Sequence, residues 1–218
     1  MKIVIVDYGS GNLRSVQKGF ERGGYTAIVS SSPEIVSSAT HLVVPGVGAF
    51  SECMKNLEQL QLLKPIKEAI LAGKPYLGIC LGLQILFTEG EEFGSFPGLD
   101  IIPGKVIQLG ATAPGGNTGL VGPVEDRPLK VPHMGWNQIR IEKETPLLAG
   151  IPQNEHFYFV HSYYGVPNDK SDIATTTEYG VSIASAIARD NIFACQFHPE
   201  KSQAMGLKIL SNFAKQPL

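Results

Sequence analysis

Cysteine is scarce in this 218-residue chain: Cys53, Cys80 and Cys195, an odd number spread over its whole length. That excludes a disulfide framework and predicts a cytoplasmic, reducing setting in which a lone reactive thiol persists. Long apolar runs are also missing. No window approaches the roughly 18 consecutive apolar residues of a membrane span. The opening MKIVIVDYGSGN breaks its short apolar run at Asp7, unlike a signal peptide. Neither sign of charge dominates: 18 Lys and Arg against 20 Asp and Glu leave a net charge of −2, with no basic cluster for nucleic acid. No pair of histidines or cysteines has zinc-site spacing, so no metal is expected. What is present is a 43% hydrophobic composition, enough to predict a single domain over residues 1–218 with a substantial core.

The first half alternates short apolar runs with segments of helical period. Strands are predicted at residues 2–7, 25–29, 41–44 (closed by Pro45) and 75–79. Helices are predicted at 12–22, at 51–71 as two pieces broken at Pro65, and at 81–87. Wholly apolar strands separated by helices indicate parallel β-α units with both sheet faces covered. From about Phe93 glycine and proline become dense and the helical period is lost. Strands are predicted at 105–109, 137–141, 156–160, 173–177, 185–189 and 192–196, packed on the first half as a mostly antiparallel section, with a last helix over 202–214. The fold class is therefore α/β, a mostly parallel central sheet flanked by helices with an additional antiparallel section in the C-terminal half. The Gly-rich stretch 110–128 reads as an exposed loop or hairpin.

Two glycine loops follow strands. DYGSGNLR places Arg14 where a dinucleotide fingerprint needs its third glycine, and the second strand ends without a carboxylate for a ribose. A cofactor is not expected there. PGVGAF (45–50) can turn with N–H groups unpaired, as an oxyanion nest does, or can simply turn.

Gly78-Ile79-Cys80-Leu81-Gly82 fits a nucleophile elbow with Cys in place of Ser, the following helix favouring thiolate at its N-terminus. The bland reading is a buried thiol with glycines admitting close packing. Of five histidines, His198 stands out as a base, because Pro199 favours extension before it and Glu200, two residues on, can accept its Nδ1 proton. His41 and His156 read as structural, and His161 is open.

GICLGLQ around Cys80 and QFHPEKS around His198, with PGVGAF after the third strand, resemble the class I glutamine amidotransferases, whose triad is Cys-His-Glu. DYGSGNLRSV, VPHMGWN (131–137) and FYFVHSYY (157–164) narrow the resemblance to the glutaminase subunits of imidazole glycerol phosphate synthases of histidine biosynthesis. The resemblance covers nearly the whole chain. It implies a flavodoxin-like sheet and Cys80, His198 and Glu200 as catalytic triad. It also implies an oxyanion hole from Leu81 with Val47 and Gly48, and L-glutamine held by Gln84, Glu92 and the segment His161, Ser162, Tyr163. It further implies a (β/α)8-barrel cyclase partner meeting Asn12, Met134, Trp136, Tyr158 and Lys201. No cofactor is implied. Trp136 on its own reads equally as core or interface. Other glutaminases of the class share the triad but are not expected to carry VPHMGWN or the DYGSGNLRSV opening. A cysteine peptidase with the same elbow would lack the HPE segment, and a degenerate binding protein would lack part of the triad.

Overall fold

The computed structural model describes residues 1–110 and 129–217. The predicted loop at 110–128 falls almost wholly outside these residues. The chain begins with β1 (Ile3–Val6), α1 (Leu13–Arg22), β2 (Ala27–Ser30), a short α2 (Pro33–Ser37) and β3 (His41–Gly46). Next come α3 (Phe50–Gln59), α4 (Leu63–Leu71), β4 (Tyr76–Cys80) and a single turn, α5 (Leu81–Gln84). Then follow β5 (Phe87–Gly90), β6 (Phe96–Pro97), β7 (Ile102–Gln108), β8 (His133–Gln138) and β9 (Arg140–Ile141). The rest is β10 (His156–His161), β11 (Tyr163–Pro167), β12 (Ile173–Glu178), β13 (Ser182–Arg189), β14 (Ile192–Cys195) and α6 (Gln203–Ala214).

The main sheet has the order β2-β1-β3-β4-β14-β13-β12-β9. Its first five strands are parallel, and β13, β12 and β9 continue it antiparallel. The antiparallel strands thus extend the sheet rather than pack upon it, as the sequence had suggested. Two small sheets, β10-β8 and β11-β7-β5-β6, stand apart from it.

Alternation along the strands builds a core on each face. Val4, Val6, Leu42 and Val44 pack toward α3 and α4, where Leu57 and Ile66 are buried. Ile3, Ile5, Val43, Leu77 and Phe193 pack toward Val16 and Phe20 of α1 and Ile209, Leu210 and Phe213 of α6. Buried on both faces, these strands are almost wholly apolar, His41 at the start of β3 being the exception, which is why their sequences do not alternate with polar residues.

Three boundaries differ from expectation. The break between α3 and α4 falls at residues 60–62, with Gln61 at φ 57°, because Pro65 sits in the first turn of α4, where its missing N–H is not needed. The third strand runs through Pro45 to Gly46, since pairing with β1 ends at Val43 and Pro45 breaks no bond on that side. The helix predicted over 81–87 is only one turn, because Phe87 joins β7 in a second sheet.

Candidate active site

The carboxyl ends of three adjacent strands meet at one place: β3 delivers the glycine loop, β4 delivers Cys80, and β14 leads to His198. Ligands gather at such ends in parallel sheets. Cys80 has φ 55° and ψ −102°, a left-handed conformation unusual for a residue with a side chain. The flanking glycines explain how it is held. A Cβ on Gly78 would strike the Gly82 carbonyl, and a Cβ on Gly82 would strike the carbonyl of Val44 on β3. Strand and turn approach so closely that only hydrogens fit between them.

Cys80 lines a cavity of about 400 Å3, and all three cysteines are free and buried. Burial pushes the Cys53 thiol up to about 12 and that of Cys195 well above its ordinary value, so both stay protonated and inert.

His198 Nδ1 lies 2.9 Å from Glu200 Oε1, and both side chains are almost fully buried. Pro199–Lys201 forms a 3-10 turn rather than an extended strand, so it is the turn that brings the carboxylate to the ring. Burial by itself pulls the imidazole down; proximity to the Cys80 sulfur and the Glu200 carboxylate more than reverses this and raises it to about 10. Nε2 is buried and, among the described residues, makes no hydrogen bond of good geometry, so what Cys80 contributes there is proximity rather than a formed bond. His198 is fixed from behind as well: its N–H donates to the Tyr158 carbonyl at 2.9 Å, and its carbonyl accepts from Ser202 Oγ at 2.7 Å.

Leu81 opens α5, where a backbone N–H has no partner within the helix. Beside it, Val47 and Gly48 line the cavity. The Val47 carbonyl accepts from Ser10 Oγ, and the planar peptide turns the Gly48 N–H the opposite way. Gln84, Glu92, His161, Ser162, Tyr163 and Lys201 line the same cavity. Glu92 Oε2 accepts from the Phe50 N–H at 2.7 Å, tying this carboxylate to the end of the glycine loop. Gln84 Nε2 donates to the Tyr163 carbonyl at 2.9 Å.

His161 lines the cavity yet is buried, and both ring nitrogens are engaged: Nδ1 donates to the Tyr163 carbonyl (3.0 Å) and Nε2 accepts from His133 Nδ1 (2.9 Å). His133 is stacked between Phe159 and Tyr179, and its Nε2 accepts from Asn137 Nδ2 at 3.2 Å. This chain of bonds is complete only with both rings neutral. Burial drives His133 down to about 4 and, with the neighbouring His133, drives His161 down to about 3. His156, expected to be structural, is exposed.

The sheet β10-β8 turns its other face outward. Met134 and Trp136 are 62% and 47% exposed, so Trp136 is not core. Tyr158 meets Trp136 edge-on at 6.1 Å, and Lys201 Nζ lies 5.5 Å over the Tyr158 ring. Asn12 is the residue preceding α1. One further residue, Gln196, escaped the sequence reading although it lies within QFHPEKS. It is wholly buried, with Nε2 3.4 Å from Cys80 Sγ. Period-two spacing from His198 was the signal that could have found it.

The model of the class I glutamine amidotransferase family matches residues 4–216. The imidazole glycerol phosphate synthase subunit HisH of Syntrophotalea carbinolica is 54% identical over 211 residues, covering 97% of this chain and 98% of the relative. The chain belongs to the HisH family of class I glutamine amidotransferases. The HisH subunit of Aquifex aeolicus is 48% identical, covering 99% of this chain and 97% of the relative. Among solved structures, one described as a glutamine amidotransferase covers 97% of this chain and 99% of its own at TM-score 0.70 and 17% identity. That likeness speaks to the HisH fold alone. Among the described residues, no helix is long and apolar enough to cross a membrane, and no group of three or more His, Cys, Asp or Glu could hold a metal ion.

Proposed function

We propose that this chain hydrolyses L-glutamine through Cys80, in the cytoplasm, as the glutaminase subunit of an imidazole glycerol phosphate synthase. The Cys80 thiolate attacks the side-chain carboxamide carbon. The developing oxyanion is met by the N–H of Leu81 and an N–H of the Val47–Gly48 loop, where losing one donor costs a hundredfold to a thousandfold, roughly. His198 gives its Nε2 proton to the leaving nitrogen, ammonia departs, and a glutamyl thioester remains. His198 then takes a proton from water, hydroxide adds to the thioester, and the thiolate leaves with release of glutamate. Glu200 holds the imidazole in position and favours its charged form. Gln84, Glu92 and the segment from His161 to Tyr163 hold the amino-acid end of the substrate, in keeping with their place around the cavity.

Ammonia released into water is protonated and ceases to be a nucleophile, so a second chain must receive it through a dry path. A (β/α)8-barrel cyclase docked on Met134, Trp136, Tyr158, Lys201 and Asn12 suits that need: the face is apolar and aromatic at its centre, and Lys201 both touches the cavity and covers Tyr158.

The observation that carries this reading is the buried His198–Glu200 pair beside a cysteine held at positive φ over a cavity. Replacing Cys80→Ser tests it: the fold is retained by circular dichroism and glutamine hydrolysis falls to background. Surviving hydrolysis in that variant would end the nucleophile assignment. Addition of a barrel cyclase with its ligand raises hydrolysis in the parent chain and does so less in Trp136→Ala. No response from the parent chain would point to a different synthase.

A further inference from the structure

Gln196 is the first residue beyond β14, its N–H anchored to the Ser185 carbonyl at 2.9 Å, and none of it reaches solvent. A buried carboxamide must satisfy both ends. Gln84 settles which end faces where. Its own Nε2 lies 2.9 Å from the Tyr163 carbonyl, which can only accept, so that atom is the amide nitrogen. The same nitrogen lies 3.1 Å from Gln196 Oε1, which therefore accepts from it. The amide nitrogen of Gln196 is thereby turned onto Cys80 Sγ at 3.4 Å. From the Tyr163 carbonyl to the sulfur, every donor and acceptor in this relay has a fixed sense.

We infer that Gln196 is a catalytic residue whose side-chain N–H donates to the Cys80 sulfur and stabilises the thiolate, with Gln84 holding the amide in that orientation. The inference rests on Cys80 being the nucleophile. A hydrogen bond to the charged form favours that form, and a donor counts for more when its acceptor is ionised and buried. The role falls to Gln196 because the single turn of α5 offers only a weak dipole to the sulfur. No proton is transferred: the same N–H meets the sulfur before attack and again when the thiolate leaves the second tetrahedral intermediate.

The other titratable groups around the sulfur are His198 and Glu200 beyond β14, Cys195 on β14, Cys53 on α3, Tyr8 beyond β1 and His161 on β10, with Glu92, Tyr163 and Lys201 on the wall of the same cavity. None is altered by a change at Gln196. The test is the pH profile of Cys80 alkylation by iodoacetamide, read by mass spectrometry of the Cys80 peptide, with Cys80→Ser as control. In Gln196→Met the midpoint moves up by about one to two pH units and turnover of glutamine falls about tenfold to a hundredfold. Gln196→Glu, which sets a carboxylate against the sulfur, moves the midpoint further up. A folded Gln196→Met with the parental midpoint overturns the inference. Should that variant fail to fold, Gln84→Met, which frees the amide to rotate, shows a smaller upward shift, and an unchanged midpoint there overturns the inference equally. A parent chain whose Cys80 resists alkylation throughout would instead remove the nucleophile assignment, and this inference with it.

Discussion

Tyr158 and His198 are joined through the backbone, the His198 N–H donating to the Tyr158 carbonyl at 2.9 Å. The Tyr158 N–H donates in turn to Ser202 Oγ at 3.0 Å, and Ser202 Oγ donates to the His198 carbonyl at 2.7 Å. The exposed aromatic face and the buried His198 imidazole therefore share one hydrogen-bonded ring. Ser202→Ala opens it: stability falls by about 1 kcal/mol or a little more, and turnover falls about tenfold through misplacement of His198. Chemical denaturation and steady-state kinetics on the same variant check both, and an intact turnover would show that Ser202 serves folding alone.

The charged state of His198 has a consequence for stability as well as rate. Its value is raised from an ordinary 6.5 to about 10, so the folded chain holds a proton that the unfolded chain releases. That contribution is complete below pH 6.5 and is lost as pH rises toward 10. Glu200→Gln removes one of the groups that raise it, and the alkaline limb of the activity profile moves down by about one unit or more. A limb that stays in place in this variant would separate Glu200 from the titration of His198.

The buried pair His133 and His161 has the opposite sign. Both are depressed, to about 4 and about 3, so the unfolded chain binds protons that the folded chain refuses. Their contribution is present above pH 6.5 and is lost on acidification toward pH 4. Thermal melts between pH 7 and pH 4 follow this directly. His133→Gln lowers stability at pH 7 and makes its acid dependence shallower, and parallel acid profiles for variant and parent would contradict this.

The elbow glycines tolerate no side chain. Gly82→Ala drives a methyl into the Val44 carbonyl, and Gly78→Ala drives one into the Gly82 carbonyl, backbone atoms that cannot rotate aside. Each costs about 3 kcal/mol or more in urea denaturation. Gly24→Ala is the contrast: its φ of 82° strains a side chain, but no atom stands within 4 Å of the added methyl, and the loss is nearer 1 kcal/mol, roughly.

Much of the architecture was legible because parallel strands buried on two faces are near-continuous apolar runs, as β1, β4 and, after His41, β3 are. Cys80 and His198 were legible because a local rule attaches to each: a strand-turn junction that needs glycine on both sides, and an imidazole with a carboxylate two residues on. The length of α5 was not, because the apolar run after Gln84 suits a buried strand as well as a helix, and pairing with β7 decided the matter.

The chain by itself determined what each segment could do: which turn could raise a thiol, which histidine had a carboxylate at hand, which loop could present N–H groups. Which segments meet was decided only in three dimensions. β3, β4 and β14 lie side by side in the sheet although the last is far along the chain, and strand order follows from long-range pairing that no local pattern encodes. The contact of Gln196 with Cys80, and its fixed sense through Gln84 and Tyr163, exists for the same reason. Each of these side chains is ordinary in its own segment, and burial together forces every donor among them to find its acceptor.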